Sequence, residues 1–390
     1  MISLGIEQLL SSPPRWLSGL RLGLLCNQAS TDSKFQHSRD LINRCFPGQL
    51  ACLFSPQHGF FSEKQDNMIE SDHAIDKGTG LPLYSLYSNK RRPTREMFDL
   101  IDVLIIDLFD IGTRVYTFLY TMGYCLEAAA EFGKKVLVLD RPNPIGGTHV
   151  EGNIIQPECY SFVGLYPIPM RHGLTFGELA LLLNNHCKIG AELAVIPMQG
   201  WKRQMFYNHT GLPWVFPSPN MPSPVTALVY PGQVIWEGTN ISEGRGTCLP
   251  FELFGAPFFE HDEILHTIDK GADLPGCILR PLIFEPTSNK WIGHSCKGFQ
   301  VHVTDPAAFR PYRTSLALLQ AAMLLYPESF AYKKTPYEYE YERLPMDLIL
   351  GDRQVRRALE ECESIMTIEK LWQHDLDGFD KLRQQFFLYN

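Results

Sequence analysis

No run of this sequence approaches the roughly 20 consecutive apolar residues that a helix needs to cross a bilayer. That excludes a spanning helix. The N-terminal stretch from Met1 to Leu10 has no basic region, and Glu7 and Gln8 interrupt its apolar residues, so no secretory signal peptide is expected. Positive charge is scarce. A formal net charge of −8 argues against nucleic acid, whose phosphates call for a basic face, and against an anionic membrane surface. The ten cysteines run from Cys26 to Cys362 without a C-x-x-C pair, which excludes the tight spacing of a zinc site or a disulfide framework. They read as buried fillers in a reduced, cytoplasmic protein. No cofactor is expected. There is no G-x-x-x-x-G-K-[ST] loop, and no G-x-G-x-x-G follows the first apolar run. Internal repeats and low-complexity tracts are missing as well.

What remains is a long globular chain. Its 390 residues exceed one small core and point to two domains. The first half alternates apolar runs with helical patterns. The runs are Leu22–Cys26, Leu50–Phe54, Val103–Leu108, the stretch ending at Asp140, and Leu193–Pro197. Helical patterns lie at Ser38–Cys45, Phe118–Phe132 and from Phe176 to about His186. Continuous apolar strands separated by helices predict a parallel sheet covered on both faces. Thr175 and Glu178 form a capping box at the start of the helix from Phe176. Leu212–Pro224 holds five prolines in thirteen residues, so neither helix nor central strand fits and a rigid extended crossing is expected. Further on, a helix near Glu260–Lys270, two strand-like runs (Cys277–Phe284 and Gly298–Val303) and helices at Ser315–Leu325, Arg353–Glu361 and Phe379–Phe387 describe a smaller α+β domain. The fold class is therefore α/β, a Rossmann-like parallel-sheet domain over 1–225 and a smaller α+β domain over 226–390.

Ligands of open parallel sheets bind at the carboxyl ends of the strands, and polar residues collect there in this sequence. Asn27 and Gln28 follow the first run, and Gln57 and His58 the second. Asp110, Arg114 and Tyr116 follow the third. Asp140, Arg141 and Asn143 follow the fourth, and Arg171 and His172 lie beyond. Each has a plainer structural reading. Asp140 and Asn143 suit turns or caps, Tyr116 could cover the core, His58 could be a satisfied structural histidine, and Asp110 with Arg114 could form a structural ion pair. The convergence of five segments on one edge is stronger than any one of them.

The richest segment is Tyr230–Pro250, which reads as a glycine-rich loop carrying Trp236, Glu237, Asn240, Glu243 and Arg245. Glycine admits close approach and unusual backbone conformations, and a loop this dense in functional side chains is seldom a mere connector. Gly244-Arg245-Gly246 is too short to be a phosphate-binding motif.

Together these blocks resemble the exo-β-N-acetylmuramidases, long carried as a family of unknown function. The matching segments are Gly23–Asn27, His58–Phe60, Asp110–Tyr116, Asp140–Pro144, Arg171–Gly173, Pro217–Pro222 with Asn220, and Glu237–Thr247 with Pro250-Phe251-Glu252. The resemblance spans nearly the whole chain. It implies a Rossmann-like N-terminal domain, a smaller C-terminal domain and an active site in the cleft between them. It also implies release of N-acetylmuramic acid from the non-reducing end of a peptidoglycan fragment, in cell wall recycling. One departure stands out. The family's turn after the second strand often reads Pro-Glu-His-Gly, its Glu the usual candidate for catalysis. Here it reads Pro56-Gln57-His58-Gly59, and an amide cannot exchange the proton. The run 62–68 also replaces a more glycine-rich one.

Glycoside hydrolysis ordinarily uses two carboxyl groups, and substrate-assisted enzymes are the exception. For a 2-acetamido sugar the substrate's own carbonyl can attack, leaving the protein to supply an acid and a group that orients the acetamide. Gln57 suits the orienting part, beside His58. Glu243 or Glu237 suits the acid, ahead of Asp110 and Glu63. A bidentate guanidinium is the natural receptor for the lactyl carboxylate of muramic acid, and Arg245, Arg114 and Arg171 are the candidates. Trp236 and Tyr116 could stack on the sugar. Asn27, Asp140, His172, Asn220 and Asn240 complete the expected binding set, with no metal. Two other readings stay open: a non-catalytic muropeptide-binding or sensing protein, for which Gln57 speaks, and a transferase or hydrolase acting on a nucleotide or phosphorylated sugar, against which the missing glycine fingerprint and the acidic charge weigh.

Overall fold

The computed structural model describes residues 2–64, 68–69, 72–87, 91–271 and 273–390. In chain order the strands of the first half are β1 (Leu22–Cys26), β2 (Leu50–Ser55), β3 (Ala74–Ile75), β4 (Pro82–Ser85), β5 (Val103–Asp107), β6 (Lys135–Leu139), β7 (Glu151–Ile154), β8 (Pro169–Arg171) and β9 (Glu192–Ile196). Seven of them form one sheet in the order β3-β4-β2-β1-β5-β6-β9. It is parallel except for β3, a short exposed edge that runs antiparallel to β4. β7 and β8 pair separately as an antiparallel ribbon. Every residue of β1 and β5 is buried, which is why these strands read as unbroken apolar runs rather than alternating ones.

Local chemistry fixes the helices that cover the sheet. Helix Phe118–Phe132 ends at Gly133, whose φ of 67° is the left-handed cap conformation. Helix Phe176–Asn185 begins on the reciprocal capping box of Thr175 and Glu178. Asp140, just past β6, joins that cap by accepting from Gly177 N at 2.7 Å and Thr175 Oγ1 at 2.7 Å.

The segment Leu212–Pro224 is irregular up to Ser223, which caps helix Pro224–Gln233. A 3-10 turn, Val234–Gly238, continues it. The first nine residues of Tyr230–Pro250 are thus helical and buried rather than a loop. Gly232 is required there, since a Cβ would fall 1.9 Å from the carbonyl oxygen of Pro311, at the crossing with helix Pro311–Leu325. The second sheet is antiparallel, with β10 (Leu253–Ala256), β11 (Cys277–Phe284) and β12 (Cys296–Val303) in the order β10-β12-β11. Helix His261–Gly271 packs on this sheet, Pro311–Leu325 packs on that helix and Arg353–Glu360 on Pro311–Leu325, and the expected helix at 379–387 starts earlier, at Gln373, and ends at Arg383. One apolar core runs through both halves, with Ile106, Met221, Trp236, Phe254 and Leu316 in a single buried cluster. The last residues return to the first sheet: Arg383 donates to Gly147 O and Gly173 O, and Tyr389 to Asp140. No helix among the described residues is long and apolar enough to cross a membrane.

Candidate active site

A narrow cleft with a cavity volume of about 40 Å³ is lined from five directions. The turn after β2 supplies Gln57 and His58, and the stretch after β5 supplies Tyr116 and Thr117. The proline-rich segment adds Ser218 and Asn220. The helical part of 230–250 brings Tyr230 and Glu237, and its irregular remainder brings Arg245. Tyr337 and Glu338 close the far side.

Glu338 was not foreseen from the sequence. It sits in a two-residue hairpin turn, closed by Tyr337 N to Glu340 O and Glu340 N to Tyr337 O, both 2.9 Å. The two central residues, Glu338 and Tyr339, have φ of 46° and 65°. Such turns normally carry glycine or asparagine at those places, and non-glycine residues held in that conformation are enriched at functional sites. Tyr339 is wedged between Tyr87 and Arg91, which anchors the turn. The Glu338 carboxyl accepts Tyr87 OH at 2.8 Å and Gln57 Nε2 at 3.1 Å. Burial pushes it above the usual carboxylate range. The Tyr87 bond opposes this, the charge of Glu237 adds to it, and Gln57 and Arg91 offset it only in part.

Glu237 goes the other way. Burial alone would raise it, but the Arg245 charge and hydrogen bond, the Tyr337 hydroxyl and Lys333 leave it lowered. Arg245 Nη2 lies 2.7 Å from Glu237 Oε1, and Tyr337 OH donates to Oε2 at 2.8 Å. Arg245 Nε also faces Glu243 at 3.3 Å, and Glu243 pairs with Lys290 at 2.7 Å. The cleft therefore holds one carboxyl biased toward the acid and one biased toward the anion. Two titratable groups pushed apart by their surroundings are the pattern of an acid and its ionised partner.

His58 is held at φ 71° with Nδ1 2.7 Å from Lys64 O. A carbonyl only accepts, so the proton is assigned to Nδ1 and Nε2 is left as an acceptor. Burial drives the ring down to about 4, against the Lys64 bond and with help from Arg245, so it is neutral at ordinary pH. The Tyr116 hydroxyl is buried in the cleft wall beside Ser218. Among the described residues no cluster of histidine, cysteine and carboxylate side chains could hold a metal.

Comparison with known proteins decides the lineage. Residues 22–225 match the family description "Exo-beta-N-acetylmuramidase NamZ, N-terminal", and residues 228–389 match "Exo-beta-N-acetylmuramidase NamZ, C-terminal". The chain belongs to the NamZ exo-β-N-acetylmuramidase family. It is thus a glycoside hydrolase by descent. It is similar to the peptidoglycan β-N-acetylmuramidase NamZ of Bacillus subtilis (strain 168), with 42% identity over 388 residues, covering 100% of this chain and 91% of that protein. Two solved structures of DUF1343 family proteins from Bacteroides fragilis NCTC 9343 also match. One has TM-score 0.90 at 35% identity and the other TM-score 0.77 at 27%, each covering 100% of this chain and 99% of its own.

Within this NamZ frame the expected site residues separate. Gln57, His58, Tyr116, Asn220, Glu237 and Arg245 line the cleft. Both amide atoms of Gln57 are engaged inside the fold, Oε1 by Thr117 Oγ1 and Nε2 by Tyr87 and Glu338. Glu243 stands behind Arg245, one step from the cleft. The others build the frame. Asn27 donates to Pro217 O at 2.8 Å and holds the proline-rich segment. Arg114 is fully buried and donates to the carbonyls of Asn153, Ile349 and Leu350. Arg171 is likewise buried and donates to Ile145 O. Asp110 accepts from Gly112 N and faces His172 at 3.3 Å rather than Arg114. Asp140 is a helix cap. Trp236 stacks on Phe254 at 5.0 Å and 8° inside the core, which removes it as a sugar platform. Asn240 ties Ser329 O to Ala331 N. Glu63 is exposed beside Gly59. In the departing run 62–68, residues 65–67 lie outside the described residues.

The crevice between β1 and β5, where the chain direction across the sheet reverses, is the usual ligand site of such sheets. Here it holds a polar plug. Asp107 pairs with Arg141 and accepts from Ser38, and its carbonyl accepts from Ser30. The cleft lies to one side of it, over the residues following β2 and β5.

Proposed function

We propose that the chain releases N-acetylmuramic acid from the non-reducing end of peptidoglycan-derived fragments, with Glu338 as proton donor and Glu237 as the ionised partner. The reading is carried by one observation, two buried carboxyl groups lining one cleft within a muramidase frame, Glu338 held by Tyr87 and Gln57 and Glu237 paired with Arg245. Glu338 gives its proton to the glycosidic oxygen as the bond to the anomeric carbon breaks. The substrate's acetamide carbonyl oxygen bonds to that carbon. Glu237 accepts from the acetamide N–H and stabilises the positive charge that develops. Water then adds at the anomeric carbon as the bond to the acetamide oxygen breaks, restoring the acetamide, and one proton of the water passes to Glu338. Gln57 takes no part in orienting the acetamide, because its amide is already committed; it positions Glu338 instead. Arg245 is the cleft arginine suited to the lactyl carboxylate.

The test is direct. A disaccharide with a non-reducing N-acetylmuramic acid is incubated with the protein, and free N-acetylmuramic acid is followed alongside binding by titration calorimetry. Release of the terminal sugar is the expected result. Binding without release would support the sensing alternative.

A further inference from the structure

Lys290 lies outside the cleft, yet it is more fully engaged than any surface lysine would be. It comes from the connection between β11 and β12 and gives its ammonium to three acceptors: Trp236 O at 2.7 Å, Ile241 O at 3.1 Å and Glu243 Oε2 at 2.7 Å. The same connection is strapped along the segment that carries Glu237 and Arg245. Thr287 N and Oγ1 meet Gly246 O at 2.9 and 2.8 Å, and Trp291 Nε1 meets Asn240 O at 2.6 Å. Gly246 has φ 78°, and a Cβ there would fall 2.5 Å from Ser288 N, so this contact is built into the backbone.

A buried ammonium is costly unless it is paired, and a hydrocarbon side chain could fill the same space. The pairing has a direction. Four charges run in line from the strap to the cleft: Lys290, Glu243, Arg245 and Glu237, at 2.7, 3.3 and 2.7 Å. They balance, two of each sign. We propose that Lys290 is a positioning residue for the reaction, neutralising Glu243 so that Arg245 remains committed to the cleft carboxylate Glu237. Without Lys290, Glu243 competes for Arg245 and its charge faces Glu237 uncompensated.

The inference rests on the reading that ionised Glu237 acts in turnover. The groups bearing on Glu237 are few. Arg245 pairs with it from its own segment, and Glu243 lies behind Arg245. Lys333, Tyr337 and Glu338 approach from the turn region, Tyr230 from helix Pro224–Gln233, His58 from the turn after β2, and Lys290 from the strap. Of these, Lys290 is removable without touching the cleft lining.

The experiment compares wild type, Lys290→Met, Lys290→Met with Glu243→Gln, and Glu237→Gln, reading the pH dependence of kcat/KM on an N-acetylmuraminide together with thermal unfolding. Lys290→Met is expected to move the acid limb up by about one pH unit, because an uncompensated like charge disfavours the anion. The double variant removes both charges and is expected to return the limb to the wild-type position or below it. An unmoved limb in Lys290→Met, with Glu237→Gln inactive, overturns the role of Lys290 alone and leaves a merely structural strap. Full turnover by Glu237→Gln overturns the underlying reading as well. If Lys290→Met does not fold, the double variant still decides, and an upward shift in it refutes the proposal.

Discussion

Gln57 Nε2 lies 3.1 Å from Glu338 Oε1, so the amide after β2 touches a carboxyl group nearly three hundred residues later in the chain. This contact relates the turn after β2 to the carboxyl group proposed as the proton donor. Replacing Glu338 by Gln keeps the size but removes the proton, and its one oxygen can accept from only one of Tyr87 and Gln57. Turnover of a disaccharide is expected to fall by roughly 10²–10⁴-fold, with a loss of stability of about 1–3 kcal/mol for the bond given up. An aryl muraminide with a good leaving group needs less protonation and should lose far less. Equal losses on both substrates would remove Glu338 as the proton donor.

Gln57→Glu gives a second and independent handle on the same contact. Two carboxyl groups about 3 Å apart cannot both ionise, so they share a proton and the pair titrates upward. Activity that needs protonated Glu338 is lost as pH rises through its value, so raising that value moves the alkaline limb of kcat/KM to higher pH. A limb that stays in place, or moves down, would argue that Glu338 does not titrate in the reaction.

Much of the frame was legible because it depends on local rules. The apolar runs of β1 and β5, the capping box at Thr175 and Glu178, and the proline-rich crossing each announce themselves within a few residues. The cleft lining was legible only where it rides on those elements, as Gln57, Tyr116, Glu237 and Arg245 do. Glu338 was not, because its turn carries Glu338 and Tyr339 where glycine would have signalled a hairpin, and because Tyr87 and Arg91, remote in sequence, hold it. Trp236 and Arg114 were misread for the opposite reason. Both are conspicuous residue types in conspicuous motifs, but one stacks on Phe254 inside the core, and carbonyls at the end of helix Pro345–Leu350 absorb the other. Sequence shows which residues are unusual, while packing decides whether they face a cleft or a core.

Arg245→Lys tests the recognition of the lactyl group. A lysine keeps the charge beside Glu237 but cannot offer the planar fork to a second carboxylate. The loss in kcat/KM is expected to be at least tenfold larger on an N-acetylmuraminide than on the matched N-acetylglucosaminide, which lacks the carboxylate. Equal losses on the two sugars would confine Arg245 to holding Glu237.

Glu151 offers a stability prediction away from the cleft. It begins β7 and packs against helix Pro311–Leu325, where Oε1 accepts from Arg313 N at 2.9 Å and Oε2 has no partner among the described residues. Burial raises its carboxyl to about 7, against the Arg313 bond and the charge of Arg171. The sign comes from linkage. The folded state binds the proton more tightly than the unfolded chain, whose value is 4.5, so the ionised group costs stability fully above pH 7 and not at all below 4.5. At 1.36 kcal/mol per unit the cost is at most about 3 kcal/mol. Glu151→Gln keeps the acceptor for Arg313 and removes the charge. Denaturant unfolding at pH 8 should find it more stable than wild type, with the gap closing as the pH is lowered to about 4.5. A variant less stable at every pH, or a gap that does not change with pH, would mean that Glu151 is adequately paired when ionised, most directly by Arg171 across the β7–β8 ribbon.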